Sequence, residues 1–304
     1  LFERYENSLH ALLLELRATF PAVGVLPVIG DVTVPERVAE VFRQTGPDLV
    51  FHAAAHKHVP LMELNPKEAV RNNVLGTRIV AEAALAAGVD RFVLISTDKA
   101  VNPTSVMGVT KRIAEQVIQG FNHRGRTKYS VVRFGNVLGS NGSVVPLFTE
   151  QIRKGGPITV TDPEIKRFFM TIPEAVQLVL QASVIGQGGD VFVLDMGEQI
   201  KIVDLARNMI VLSGLVPGKD IDIQFTGLRP GEKLYEELFD ESEQTESTAH
   251  EKINRAVSPL AQADLDPWLD QLGTNLLRWN EDDLLLQLRQ RIPSFTPTVP
   301  QRVS

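Results

Sequence analysis

The sequence predicts an α/β fold: a doubly wound parallel sheet covered by helices, with a smaller α+β unit in its second half. Three observations carry this. Short β-branched runs alternate with longer helical patterns through residues 1–139, the rhythm of successive βα units. The runs are apolar throughout, as in Phe92-Val-Leu-Ile-Ser96, which suits strands buried on both faces. After Gly139 the rhythm breaks into shorter strand-like pieces mixed with helices.

Taken in order, strands are expected at 25–29, 48–53, 91–96, 129–134 and 190–195, and helices at 8–19, 35–45, 66–87 and 109–121. In the fourth helix Ile113, Val117 and Phe121 recur every four residues, a buried stripe. Gly88 stands where a helix C-cap belongs. In the second half, 158–161 and 221–226 read as strands, and 173–185 and 202–213 as helices, the latter stopped by Gly214. Thr171-Ile-Pro-Glu174 is a capping box opening on the apolar stripe Val176, Val179 and Leu180. Residues 240–251 are acidic and polar and read as a mobile loop. Residues 265–291 read as one or two amphipathic helices, and 293–304, with three prolines, as a frayed tail. The expected organisation is therefore 1–139, the sheet domain; 140–240, its last strands mixed with a substrate-binding unit; 241–292, a helical extension; and 293–304, the tail.

The bulk numbers narrow the function. The chain has 304 residues, 43% hydrophobic and 22% charged, enough for a large core. Net charge is −6 with no basic run, which argues against nucleic acid as a partner. Cysteine is absent, so disulfides and cysteine zinc sites are excluded, and a reducing, cytoplasmic setting is expected. No apolar run reaches the roughly 18–20 residues of a membrane helix, so this segment is expected to make no membrane contact.

In an open parallel sheet, ligands bind beyond the carboxyl ends of the strands. After 25–29 come Asp31 and Val32; Asp31 can accept from an adenine amino group or cap the helix at Pro35. After 48–53 come His52, Ala53, Ala54 and Ala55, where small side chains let a cofactor approach the backbone, and then Lys57, a phosphate partner or a surface charge. Three histidines in His52 to His58 suggest a metal, but no carboxylates accompany them and none is expected. After 91–96 come Thr97, Asp98 and Lys99: hydroxyl, carboxylate and amine in sequence, able to move protons. After 129–134 comes Asn136, a donor for a sugar or phosphate oxygen. Arg167 and Arg229 sit beside rigid turns, and guanidinium forks match diphosphates. Met107 and Lys111 lie four apart on one helix face. A thioether carries no proton, and a methionine alone is usually packing.

Together these residues resemble the extended short-chain dehydrogenase/reductase superfamily, with its Rossmann-like sheet. Within it they resemble the CapD-like polysaccharide-biosynthesis branch, the nucleotide-sugar 4,6-dehydratases typified by those acting on UDP-N-acetylglucosamine. FHAAAHKHVPLMELNP, NNVLGT, LISTDKAVNPTSVMGVTKR, VVRFGNVLGSNGSVVPLF, RFFMTIPEAVQLV and GLRPGEKLYEEL occur in order from Leu1 to about Leu238. The resemblance implies a tightly bound NAD, a UDP-sugar substrate, oxidation at C4, loss of water across C5 and C6, and a 4-keto-6-deoxy product. It implies that Thr97 bonds the C4 oxygen, that Asp98 and Lys99 serve the elimination, and that Lys111 holds the nicotinamide ribose. It places Asn73 in the site floor and Asn136, Arg167 and Arg229 on the UDP. Met107 stands where most such chains have tyrosine, a mark of the subgroup that retains configuration at C5; Asp98 then takes the C4 proton. Self-association is also expected.

One departure is large. The resemblance calls for a glycine-rich G-x-G-x-x-G loop, and the sequence contains none. Leu1 to Arg4 resemble the end of a second strand, which puts Glu3 at the adenosine ribose and favours NAD over its phosphorylated form. A first strand and helix of roughly 30 residues are then unaccounted for. The expectation is that this chain alone binds NAD weakly or not at all. The competing readings are a UDP-sugar 4-epimerase, which needs no Asp-Lys pair, and a non-catalytic nucleotide-sugar-binding module.

Overall fold

The computed structural model describes residues 1–140, 142–257 and 264–297. Its centre is a six-stranded sheet in the order Gln244–Ser247, Ile253–Val257, Asp190–Leu194, Lys128–Phe134, Arg91–Thr97, Leu49–His52. The last four are parallel, and the first two are added antiparallel. Phe92, Leu94, Tyr129 and Val131 are fully buried, as strands sandwiched between helix layers must be.

One face packs on helices Gly76–Ala87 and Val106–Phe121, where the stripe Ile113, Val117 and Phe121 meets Phe92 and Tyr129. The other face packs on helix Ile172–Ile185 through Ala175, Leu178, Val179 and Ala182. A separate small core holds Phe148, Ile158, Val160, Ile165, Ile202, Ala206, Ile210 and Ile221, around the parallel pair Ile158–Val160 and Ile223–Phe225. Both bonds of the capping box at Thr171 and Glu174 form. Gly88 and Gly214 adopt φ of 65° and 76°, the left-handed conformation that ends a helix without steric cost.

The structure departs from the sequence reading in several places. The helix of 66–87 winds through a π-helical turn at Arg71–Leu75. The helix expected at 109–121 begins at Val106, because the Ser105 hydroxyl accepts from the Gly108 amide at 3.0 Å and caps it. Part of 240–251 is not a loop: Gln244–Ser247 is a strand, so the region 241–292 is strand and helix together. What pins it is Glu243, held between Arg112 and Arg133. Phe295, placed in the tail, is fully buried in the main core, and the Thr296 amide donates to the Pro103 carbonyl at 3.1 Å; the remainder of the tail, 298–304, lies outside the described residues. The stripe on Ile172–Ile185 is buried only in part: Val179 is 8% exposed, but Val176 is 52% and Leu180 48%. These two flank an open apolar groove of about 340 Å³ with Phe51, Ile95 and Phe134.

The sheet is split on its other side. Phe2–Glu3 pairs in parallel with Val28–Ile29 alone, and not with the central sheet. Leu49–His52 is the central sheet's edge. Phe2 and Glu3 on one side, and Val50, Phe51 and His52 on the other, line one cavity of about 360 Å³. Two strand edges thus face a gap, a state that natural sheets usually cover. No described helix is long and apolar enough to cross a membrane.

Candidate active site

Strand Arg91–Thr97 ends inside the protein and turns at once into the short 3₁₀ turn Asp98–Ala100. Asp98 is fully buried there. Its Oδ1 accepts from the Thr97 hydroxyl and from Lys99 Nζ, both at 2.9 Å, while Oδ2 has no partner. A buried carboxylate needs a counter-charge, and Lys99 supplies it. Lys99 Nζ also donates to Asn136 Oδ1 at 3.1 Å and stands 3.7 Å from Glu236 Oε1. Burial alone would lower the proton affinity of this amine. Asp98 and Glu236 outweigh it and hold the pKa above its ordinary value. Gly135 makes the approach possible: a Cβ there would stand 2.8 Å from Phe168 Cβ and 3.0 Å from Asp98 Oδ2.

Lys99 opens onto a small cavity of about 110 Å³, walled by Arg167, Arg229, Glu232, Lys233 and Glu236. Arg167 is buried, and its guanidinium donates to the carbonyls of Lys166, Lys233 and Leu234, so it clamps the 229–236 turn from behind. Arg229 is exposed at the rim. Lys57 is exposed and lines neither this cavity nor the larger one; partial burial lowers its pKa.

Glu3, Val32, His52, Ala53 and Ala54 all line the 360 Å³ cavity, and Ala55 continues the same segment. Asn73 lies in the π-helical turn and is saturated. Its amide donates to the His56 carbonyl at 3.1 Å and Thr110 Oγ1 at 3.0 Å, and its Oδ1 accepts from the His56 amide at 2.8 Å. It therefore fixes the path of the alanine loop. The His52 ring is buried under Thr77, Nε2 to Oγ1 3.0 Å, and burial pulls its pKa down to about 3, so it is neutral. Asp31 accepts from the Thr33 amide and hydroxyl at 2.8 Å and from Arg4 at 3.3 Å. Burial opposes its ionisation, but these donors win and hold its pKa below the ordinary value. Lys111 is buried, donates to the Ile95 carbonyl at 2.7 Å, and has its pKa lowered by burial to about 8. Met107 is 3% exposed, packs with Met62, Ala69 and Val106, and lines neither cavity.

Thr97, Asp98, Lys99 and Asn136 thus form one bonded cluster, while Met107 packs in the core and His52 lines the larger cavity. Sequence reasoning missed Glu236, one of two adjacent glutamates with no periodicity to separate them. It also missed the charges behind the cluster. Arg133, fully buried, bonds Glu115 at 2.8 Å and Glu243 at 2.9 Å, and Ser96 donates to Glu115 at 2.6 Å. The arginine inside the apolar run Ser130-Val-Val-Arg-Phe134 was the available signal.

A family profile described as "Polysaccharide biosynthesis protein" matches residues 1–258. The chain is 55% identical over 273 residues to the capsular polysaccharide biosynthesis protein CapD of Staphylococcus aureus, covering 89% of this chain but only 45% of that protein's length. It resembles the solved structure of Pen from Bacillus thuringiensis with a TM-score of 0.77 at 38% identity, over 86% of this chain and 79% of that one. It also resembles a UDP-glucose 4-epimerase of Thermus thermophilus, solved in complex with NAD. There the TM-score is 0.63 at 21% identity, over 76% of this chain and 87% of that one, which speaks to the fold alone.

Proposed function

The chain belongs to the polysaccharide biosynthesis protein family, and on that premise we propose that it is a nucleotide-sugar 4,6-dehydratase. The proposed substrate is a UDP-N-acetylhexosamine, UDP-N-acetylglucosamine first among them. The observation that carries the reading is the bonded Thr97, Asp98 and Lys99 cluster. Elimination of water needs an acid and a base together, and a 4-epimerase needs no such pair. In this reading Asp98 takes the hydroxyl proton at C4 and later gives it to the departing C6 hydroxyl, which leaves as water. Lys99, as the neutral amine, takes the C5 proton and returns it to the same face, so configuration is retained. Thr97 orients the C4 oxygen, and Arg229 faces the diphosphate from the turn that Arg167, its donors spent on backbone carbonyls, holds in place.

The residues fit NAD at its two ends. Lys111 and the loop fixed by Asn73 suit the nicotinamide ribose, and Glu3, Asp31 and Val32 the adenosine. The middle, where a diphosphate wants backbone donors, is the open cavity, whose walls are apolar apart from Glu3 and His52. When bound, NAD supplies reversible hydride transfer between C4 and C6 of the hexose.

The test is incubation with excess NAD and UDP-N-acetylglucosamine, read by proton NMR in deuterated water. A C6 methyl signal with a C4 ketone and retained C5 configuration supports the reading. A UDP-N-acetylgalactosamine product alone identifies an epimerase. An unchanged sugar identifies a non-catalytic module.

A further inference from the structure

Glu236 is a buried acid that the mechanism above leaves unused. Its side chain is 3% exposed. Oε2 has no partner, and Oε1 stands 3.7 Å from Lys99 Nζ and 3.6 Å from Arg167 Nε. From neighbouring elements it faces Lys99 and Arg167, with Asp98 beyond Lys99; on its own segment Arg229, Glu232 and Lys233 share the cavity. Gln199 donates to its backbone carbonyl at 2.7 Å and fixes the segment.

The inference rests on the dehydratase reading, because that reading creates a proton problem. Lys99 rests as an ammonium between two carboxylates, yet the base at C5 must be a neutral amine. Its proton cannot go to Asp98, which is reserved for the proton from C4. We infer that Glu236 is the proton store for Lys99. Lys99 gives a proton to Glu236, leaving the amine and a carboxylic acid. The amine takes the C5 proton and becomes ammonium, while protonated Asp98 releases water from C6. After Lys99 reprotonates C5, the proton held by Glu236 returns to Lys99, and every group regains its starting charge. The contact lies about 0.5–1 Å beyond a hydrogen bond, a distance the Lys99 stem closes by swinging from Asn136. Glu236 acts through Lys99 and is a positioning residue.

The experiment compares wild type, Glu236→Gln and Glu236→Asp with NAD and UDP-N-acetylglucosamine, quenching at intervals and reading the sugars by NMR in deuterated water. The glutamine variant keeps the shape but accepts no proton. It is expected to lose about a hundredfold in dehydrated product, to accumulate a 4-keto hexose that still carries its C6 hydroxyl, and to lose deuterium uptake at C5. Glu236→Asp retains the carboxylate and is expected to recover part of the rate, with a smaller build-up of the undehydrated ketone. Where the glutamine variant does not fold, the aspartate variant carries the test through its smaller stall at the undehydrated ketone. Equal loss of oxidation and elimination, or no loss, overturns the inference while an active wild type upholds the dehydratase reading. A wild type without dehydratase activity overturns both.

Discussion

The two sides of strand Arg91–Thr97 are built differently. On one side the sheet continues through Lys128–Phe134 into buried ion pairs, with Asp98, Lys99, Asn136 and Glu236 stacked at its end. On the other, one strand away, Leu49–His52 ends the sheet at an apolar gap. Thr97, Asp98, Lys99 and Asn136 are fixed by contacts that do not involve the gap. The side that would seat a dinucleotide rests on a two-stranded sheet and one loop. Chemistry and cofactor affinity should therefore fail separately.

Asp98→Asn breaks the comparison most strongly. Turnover should fall by about 10²–10⁴, whereas Met107→Leu, which swaps one core side chain for another, should stay within about twofold; product NMR measures both. Next is Arg133→Met, which leaves Arg112 facing the buried Glu115 and Glu243 without the second guanidinium. A loss of about 3–5 kcal/mol is expected in urea unfolding, with the dinucleotide side destabilised only through the shared core. The same network sets an acid limit. Burial opposes the charge on Glu243, but Arg133 and Arg112 hold its pKa at about 2, below the ordinary 4.5. A depressed carboxyl contributes stability above its unfolded pKa, so that contribution should vanish as pH falls from 4.5 through about 2, and Glu243→Gln should flatten the slope.

Gly135→Ala is a smaller probe of the closed side. Its Cβ would press on Phe168 and Asp98, and a cost of about 1–3 kcal/mol is expected, with a lower turnover than stability alone explains. The open side should show the smallest change. Calorimetry should find NAD bound no tighter than about 1 μM, roughly 8.2 kcal/mol, and Glu3→Gln should alter that by less than about tenfold. A submicromolar constant would erase the distinction between the two sides.

The closed side was the more legible in sequence. Strands such as Phe92-Val-Leu-Ile announce burial by composition, and Thr97-Asp98-Lys99 stands out because polar residues crowd a strand end. The capping box and Gly88 were readable because caps are local. What was not readable is what long-range pairing decides. Glu243 and Phe295 sit in stretches whose composition favours solvent, and they are ordered by partners far away in the chain, Arg133 and the main core. Met107 was singled out by pattern, yet its packing against Met62 and Ala69 depends on a helix crossing that no local spacing encodes. Glu236 needed the Lys166–Arg167 and Asp98–Ala100 segments brought together before it meant anything.

The C-terminal helices Leu265–Asn275 and Glu281–Arg291 carry a spectroscopic consequence. The two tryptophans of the chain, Trp268 and Trp279, are in this corner, both packed against the main core. Arg291 lies over the Trp268 ring at 5.9 Å. Intrinsic fluorescence is therefore a reporter of how this helical corner seats on Gly76–Ala87 and Val106–Phe121. Neither tryptophan lines the cavity beside Lys99, so the signal follows the packing of the C-terminal helices.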